Sequence, residues 1–136
     1  MTNFTSPSPS ANHFKLAVLL VEDEDAVREM ICDLLEMSGY QVLAASDGRA
    51  ALDICRRHVG ALDLVITDIM LPQMGGRELA DQLARVRPGI KTLFMSGYPD
   101  DLEHHHNVAR VKAAYLAKPF TLEEFACAVR AALDGK

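Results

Sequence analysis

The chain has 136 residues, with 14 basic and 19 acidic side chains and a net charge of −5. Hydrophobic residues make up 49% and charged residues 24%, the balance of one folded domain rather than of a disordered chain. The acidic balance disfavours a nucleic-acid or anionic-membrane partner, and no apolar run approaches the roughly 20 residues of a membrane span.

Residues 1–14 (MTNFTSPSPSANHF) are rich in Ser, Thr, Asn and Pro and read as a flexible leader outside the core. The domain is expected over 15–136. A first apolar run, Leu16–Val21, is too short for a signal-peptide core and is followed at once by Glu22-Asp23-Glu24-Asp25. Asp25–Ser38 then carries Val27, Met30, Ile31, Leu34 and Leu35 at helical spacing, and Gly39 is placed to end the helix. Gln41–Ala45 is a second strand. Asp47–His58 places Ala51, Leu52 and Cys55 on one side and Arg49, Arg56 and Arg57 on the other. Leu62–Thr67 is a third strand, and Gly76–Val86 a helix that Pro88-Gly89 stops. Thr92–Ser96 and Ala114–Leu116 are the last two strands, and Leu122–Leu133 the last helix. Between those strands, Asp100–Lys112 has little apolar content and reads as a short or mobile helix.

The runs are mostly apolar throughout, the appearance of strands buried on both faces, as in parallel sheets. Cys32, Cys55 and Cys127 show no ligand spacing and read as reduced cytosolic thiols that pack as small core hydrophobes inside helices. Strand alternating with helix five times predicts an α/β fold, a doubly wound parallel sheet with helices on both faces. In such sheets ligands bind at the carboxyl ends of the strands, near the point where the winding reverses.

Those strand ends carry Glu22 and Asp23, then Asp68, then Ser96-Gly97, then Lys118 and Pro119. Taken singly, each is an ordinary cap, turn or surface residue. Joint placement at four strand ends argues for convergence on one rim. Three carboxylates within ~5 Å would repel by roughly 3 kcal/mol per pair at an effective dielectric near 20. A proton or a cation must relieve that repulsion, and a hard divalent ion such as Mg2+ suits oxygen ligands. An aspartate can attack phosphorus and become an aspartyl-phosphate, with Lys118 and the Ser96 hydroxyl sharing the phosphoryl charge.

These residues resemble the receiver domain of two-component response regulators, with the MSGY and AKPFT segments most similar to hybrid-kinase receivers. The resemblance covers Lys15 to Leu133 and rests on LLVEDED, DLVITDIMLPQMGG, LFMSGY and YLAKPF. It implies a flavodoxin-like (βα)5 sheet of order 2-1-3-4-5. It makes Asp68 the phosphoacceptor, and Glu22, Asp23, Asp68 and the Met70 backbone carbonyl the ligands of Mg2+. Ser96 and Tyr115 become the switch pair and Lys118 the phosphate-pairing lysine. Met70, Gly97 and Tyr98 tune access to the acyl phosphate, and Pro119 follows the lysine, often across a cis bond. Glu22 departs from the commoner Asp, and His104-His105-His106 is an unusual run that reads as a solvated face.

The partners implied are a histidine kinase or histidine phosphotransfer domain and a downstream protein target, with the surface of the fourth and last helices and the fifth strand switching. The chain is expected to be cytoplasmic, a monomer or a phosphorylation-linked dimer. It is not expected to be an enzyme beyond its own phosphoryl uptake and autodephosphorylation. Ending just after the last helix, it is expected to encode no DNA-binding output domain. A haloacid-dehalogenase-type phosphatase would want a second Asp where Met70 stands. A flavin-mononucleotide site would want hydroxyls and glycines where the four acids stand. The remaining alternative is a pseudo-receiver, an interaction module that never takes up phosphate.

Overall fold

The structure, a computed structural model, describes residues 15–97 and 113–134. In chain order the elements are β1 (Ala17–Val21), α1 (Asp25–Met37), β2 (Gln41–Ala45), α2 (Gly48–Arg57), β3 (Leu64–Asp68), α3 (Gly76–Val86), β4 (Lys91–Ser96), β5 (Ala113–Ala117) and α4 (Leu122–Asp134). The strands form one sheet in the order β2-β1-β3-β4-β5, every pair parallel. The expected order is therefore observed, and the winding reverses between β1 and β3. Tyr98, His104–His106 and the Asp100–Lys112 segment lie outside the described residues, as does the leader.

Period-two alternation along the central strands sorts the core into two layers. Leu19 and Val21 of β1 and Val65 of β3 face α2 and α3, against Ala51, Leu52, Cys55, Leu79 and Leu83. Val18, Leu20, Leu64, Ile66, Leu93 and Met95 face the other way, against Ile31 and Leu35 of α1 and Phe125 and Val129 of α4. Each such leucine or isoleucine contributes roughly 1.5–3 kcal/mol on burial.

The structure corrects the expectation that all five strands are buried on both faces. It holds for β1 and β3, whose residues are all buried, and nearly for β4. In β2, Gln41 and Ala44 are exposed and only Ala45 is buried, and β5 is half-buried. Both lie at sheet edges, where a flanking helix covers less of the strand. A second correction concerns the thiols: Cys55 is buried, Cys32 half-buried and Cys127 exposed. Phe125, Val129 and Ala132 hold the core stripe of α4, and residue 127 turns about 200° from residue 125, to the outer face.

The helix ends follow local chemistry. Gly39, at φ 94°, ends α1; its N–H donates to the Glu36 carbonyl and that of Tyr40 to the Leu35 carbonyl. The Asp47 side chain accepts from the Ala50 N–H at 2.8 Å and caps α2. Thr121 and Glu124 exchange side-chain-to-backbone bonds at 3.0 and 2.8 Å, a reciprocal cap that sets where α4 begins after Lys118. The Arg87 guanidinium donates to the Cys55, His58 and Gly60 carbonyls at 3.1, 2.5 and 2.5 Å, closing the carboxyl end of α2. The Lys91 ammonium likewise reaches the Leu133 carbonyl of α4.

Thr92 of β4 is 1% exposed, and among the described residues its hydroxyl has no hydrogen-bond partner. A buried unpaired hydroxyl costs about 1–3 kcal/mol, which an isosteric methyl would recover. Thr92→Val is expected to raise the unfolding free energy by about 1 kcal/mol, read from the urea midpoint at unchanged slope.

Candidate functional site

The strand register brings the candidate residues together. Val21 stands beside Thr67 in the β1–β3 pair, so Glu22, one residue on, comes level with Asp68, the last residue of β3. Asp68 pairs with Met95 across β4, and Ser96 pairs with Ala117 across β5. Lys118 then follows Ala117 over the same rim. The resulting cleft, of about 340 Å³, is lined by Glu22, Asp23, Glu24, Asp68, Ile69, Met70, Met95, Ser96, Gly97 and Lys118.

Of the described strand-end residues proposed from the sequence, all but Pro119 line this cleft. Tyr115 does not. It stacks on Phe94 with ring centroids 5.4 Å apart, beside Ile69 and Ala80. Burial pushes its hydroxyl pKa up, with Arg77 opposing. The Met70 side chain is largely exposed, and Ser96 is buried. The Lys118–Pro119 bond is cis.

Glu22, Asp23 and Asp68 each offer a carboxylate oxygen, all within 4.8 Å of one another. Glu22 and Asp68 are buried, whereas Asp23 is exposed. Two buried carboxylates side by side need compensation, and the structure supplies two kinds. The Lys118 ammonium lies 2.6 Å from Asp68 Oδ1 and 3.4 Å from Glu22 Oε1. In addition, burial, together with the hydrogen bond to Glu22, pushes the Asp68 pKa up to about 7 against the pull of Lys118. Burial raises Glu22 as well. The hydrogen bond from Asp68, the Glu24 N–H at 3.1 Å and Lys118 outweigh that and hold Glu22 below the usual carboxylate range. Burial would lower Lys118, but the two acids hold it above the ordinary lysine range. Of the two carboxyls, Asp68 therefore holds a proton more readily than Glu22, and Lys118 completes the compensation.

This donor set fits a hard divalent cation. It offers two or three carboxylate oxygens with one exposed flank, the partial protein shell that Mg2+ takes while keeping its waters. Displacing the Asp68 proton and loosening Lys118 are the electrostatic costs of filling it.

Two residues that sequence reasoning passed over support the rim. Gly76 opens α3 against the end of β3; its N–H donates to the Ile69 carbonyl at 2.8 Å. A Cβ there would fall 2.1 Å from the Asp68 carbonyl oxygen. Arg28 of α1 donates through Nη1 to the Glu22 carbonyl at 2.9 Å and through Nη2 to Asp25 Oδ1 at 2.6 Å. The pair of glycines inside DLVITDIMLPQMGG was the signal for Gly76. Arg28 had none, since one basic residue on a charged helix reads as solvated.

A family model described as the response regulator receiver domain matches residues 18–130. The chain is 40% identical over 117 residues to the sensor kinase CckA of Brucella abortus, a match covering 86% of this chain and 12% of that protein. It is 33% identical over 121 residues to the probable transcriptional regulatory protein TcrX of Mycobacterium tuberculosis, covering 87% of this chain and 50% of that protein. The chain thus spans half or less of the length of these relatives. Among solved structures, the receiver domain from the hybrid histidine kinase CckA aligns with a TM-score of 0.72 and 33% identity, over 86% of this chain and 98% of that one. A response regulator receiver domain protein from Clostridium thermocellum aligns with a TM-score of 0.78 and 26% identity, over 88% and 94%.

Proposed function

The chain belongs to the response regulator receiver domain family of two-component signalling, and from that premise we propose that residues 15–136 form a phosphoacceptor receiver whose acceptor is Asp68. The observation that carries this reading is the Lys118 ammonium 2.6 Å from Asp68 Oδ1, inside a cluster of three acids at the sheet's switch point.

The donor is a phosphohistidine presented by a histidine kinase or a histidine phosphotransfer domain. Glu22, Asp23, Asp68 and the Met70 carbonyl would hold Mg2+, which when bound neutralises charge on the transferred group. A carboxylate oxygen of Asp68 attacks phosphorus in line. The phosphorus–nitrogen bond breaks, its electron pair stays on the imidazole, and Asp68 becomes an acyl phosphate. Lys118 exchanges its bond to Asp68 for one to a phosphoryl oxygen, and Ser96 donates its hydroxyl to another. The inward pull on Ser96 gives Tyr115 room to turn. The surface made by the fifth strand and the last helix then shifts towards the form that engages a downstream protein. Met70, Gly97 and Tyr98 set how readily water reaches the acyl phosphate. Pro119 shapes the turn after Lys118.

In this reading the protein is cytoplasmic, a monomer or a phosphorylation-linked dimer, with no nucleic-acid or membrane partner. Its only catalysis is its own phosphoryl uptake and autodephosphorylation. Among the described residues, no helix is long and apolar enough to cross a membrane.

Incubation with acetyl phosphate and Mg2+, followed by intact-mass measurement, tests the assignment. One added phosphoryl group is expected in the wild type and none in Asp68→Ala. No addition with any phosphodonor would instead make the protein a phosphorylation-independent interaction module.

A further inference from the structure

Four consecutive acids, Glu22 to Asp25, join β1 to α1. Glu24 holds the N-cap position of α1 without a side-chain cap bond. Within the turn the Glu24 N–H donates to Glu22 Oε2 at 3.1 Å, yet four like charges still need an external restraint to present two carboxylates in one direction. Its first residue has one on each side. The Glu22 N–H donates to the Ala45 carbonyl at 3.1 Å, and the Glu22 carbonyl accepts from Arg28 Nη1 at 2.9 Å. That carbonyl belongs to the peptide group joining Glu22 to Asp23. Fixing its plane fixes the Asp23 N–Cα bond, so only rotation about that bond is left to set where the Asp23 side chain leaves the backbone.

We infer that Arg28 is a positioning residue for the acidic rim, acting through the Glu22–Asp23 peptide to aim Asp23 at the metal position. The inference rests on the phosphoacceptor reading above. The other half of the guanidinium holds Asp25 Oδ1 at 2.6 Å, drawing that carboxylate along α1. An exposed ion pair between i and i+3 is worth little in stability. Here the Arg28 side chain is only 21% exposed, and one planar fork serves a backbone carbonyl and a carboxylate together. A lysine keeps the charge but not the fork.

Positioning and plain electrostatics predict opposite signs. Removing a cation beside three acids should tighten Mg2+ if charge alone matters. Removing a support that orients a ligand weakens metal binding, typically by 10- to 100-fold. Isothermal titration with MgCl2 on the full chain is expected to show roughly tenfold weaker binding in both Arg28→Ala and Arg28→Lys. At saturating MgCl2, phosphoryl uptake from acetyl phosphate is expected to recover most of its wild-type rate. Metal-free Arg28→Lys is also expected to show faster amide exchange at Asp23 and Glu24 with a thermal midpoint near that of the wild type. Equal or tighter Mg2+ binding in either variant overturns the inference. A wild type that neither binds Mg2+ nor gains a phosphoryl group overturns the phosphoacceptor reading itself.

Discussion

Gly76→Ala is expected to lower the unfolding free energy by about 3 kcal/mol or more, a fall in thermal midpoint of roughly 10 °C. Helix propensity argues the other way, since alanine gains up to about 1 kcal/mol over glycine inside a helix. Geometry decides the sign. A Cβ at Gly76 would lie 2.1 Å from the Asp68 carbonyl oxygen, 3.0 Å from its carbon and 3.1 Å from Ile69 Cα. All three are backbone atoms at the end of a strand paired on both sides, so relief requires moving β3 or α3 as a body. The cost therefore falls on the acceptor as well as on the fold, and phosphoryl uptake should drop with stability. Gly48 is the control. A Cβ there meets Met74 Sδ at 2.9 Å, the flexible part of a side chain. Gly48→Ala should change stability by less than about 1 kcal/mol. Equal midpoints for Gly76→Ala and the wild type in thermal denaturation would show that the β3–α3 junction yields more easily than its contacts imply.

Asp68→Asn is expected to stabilise the metal-free protein at pH 8 by about 2 kcal/mol. The Asp68 pKa moves from 3.8 to about 7 on folding. A raised folded-state value means that the protonated form is the one the fold favours. Its contribution is complete below about pH 4 and is lost as pH rises through about 7. Glu22, held below its ordinary value, contributes in the opposite sense, with stability that is lost as pH falls into the carboxylate range. The metal-free wild type should therefore be most stable in mildly acidic solution and weaken towards pH 8. Asparagine keeps the shape and a donor towards Glu22 but cannot ionise, so the decline between pH 5 and 8 should flatten. Excess Mg2+ should recover stability at pH 8 in the wild type and much less in Asp68→Asn. Denaturant midpoints at several pH values, with and without MgCl2, measure all of this. A metal-free wild type whose stability is flat from pH 5 to 8 would contradict the argument.

Much of this architecture is legible in the residues. Val18 to Val21 and Leu64 to Ile66 are apolar runs long enough for strands and too short for helices. Asp25–Met37 and Gly76–Val86 repeat at the helical period. Parallel strands carry their carboxyl ends to one rim, so Glu22, Asp23, Asp68, Ser96 and Lys118 meet although up to 96 positions separate them. The strand order itself came from family resemblance, since periodicity does not encode which strands are neighbours. Nor does apolar content distinguish a central strand from an edge, which is why β2 and β5 looked as buried as β1. The division of labour inside the rim was hidden too. Neighbouring acids in the sequence end up differently: Glu22 is inaccessible, whereas Asp23 faces solvent. Lys118 read as a partner for phosphate, yet its ammonium already lies 2.6 Å from Asp68 Oδ1. Such roles depend on distances of a few ångströms, which no spacing rule supplies.

The cations at the opposite pole have a mechanical consequence. Arg87 binds the last turn of α2 and the chain beyond it to the end of α3, and Lys91 ties β4 to the end of α4. These bonds gather the helix exits and the amino-terminal ends of the strands into a braced footing. Amides at this clamped end are expected to exchange more slowly than those at the acidic rim, a difference that hydrogen-exchange measurements read directly.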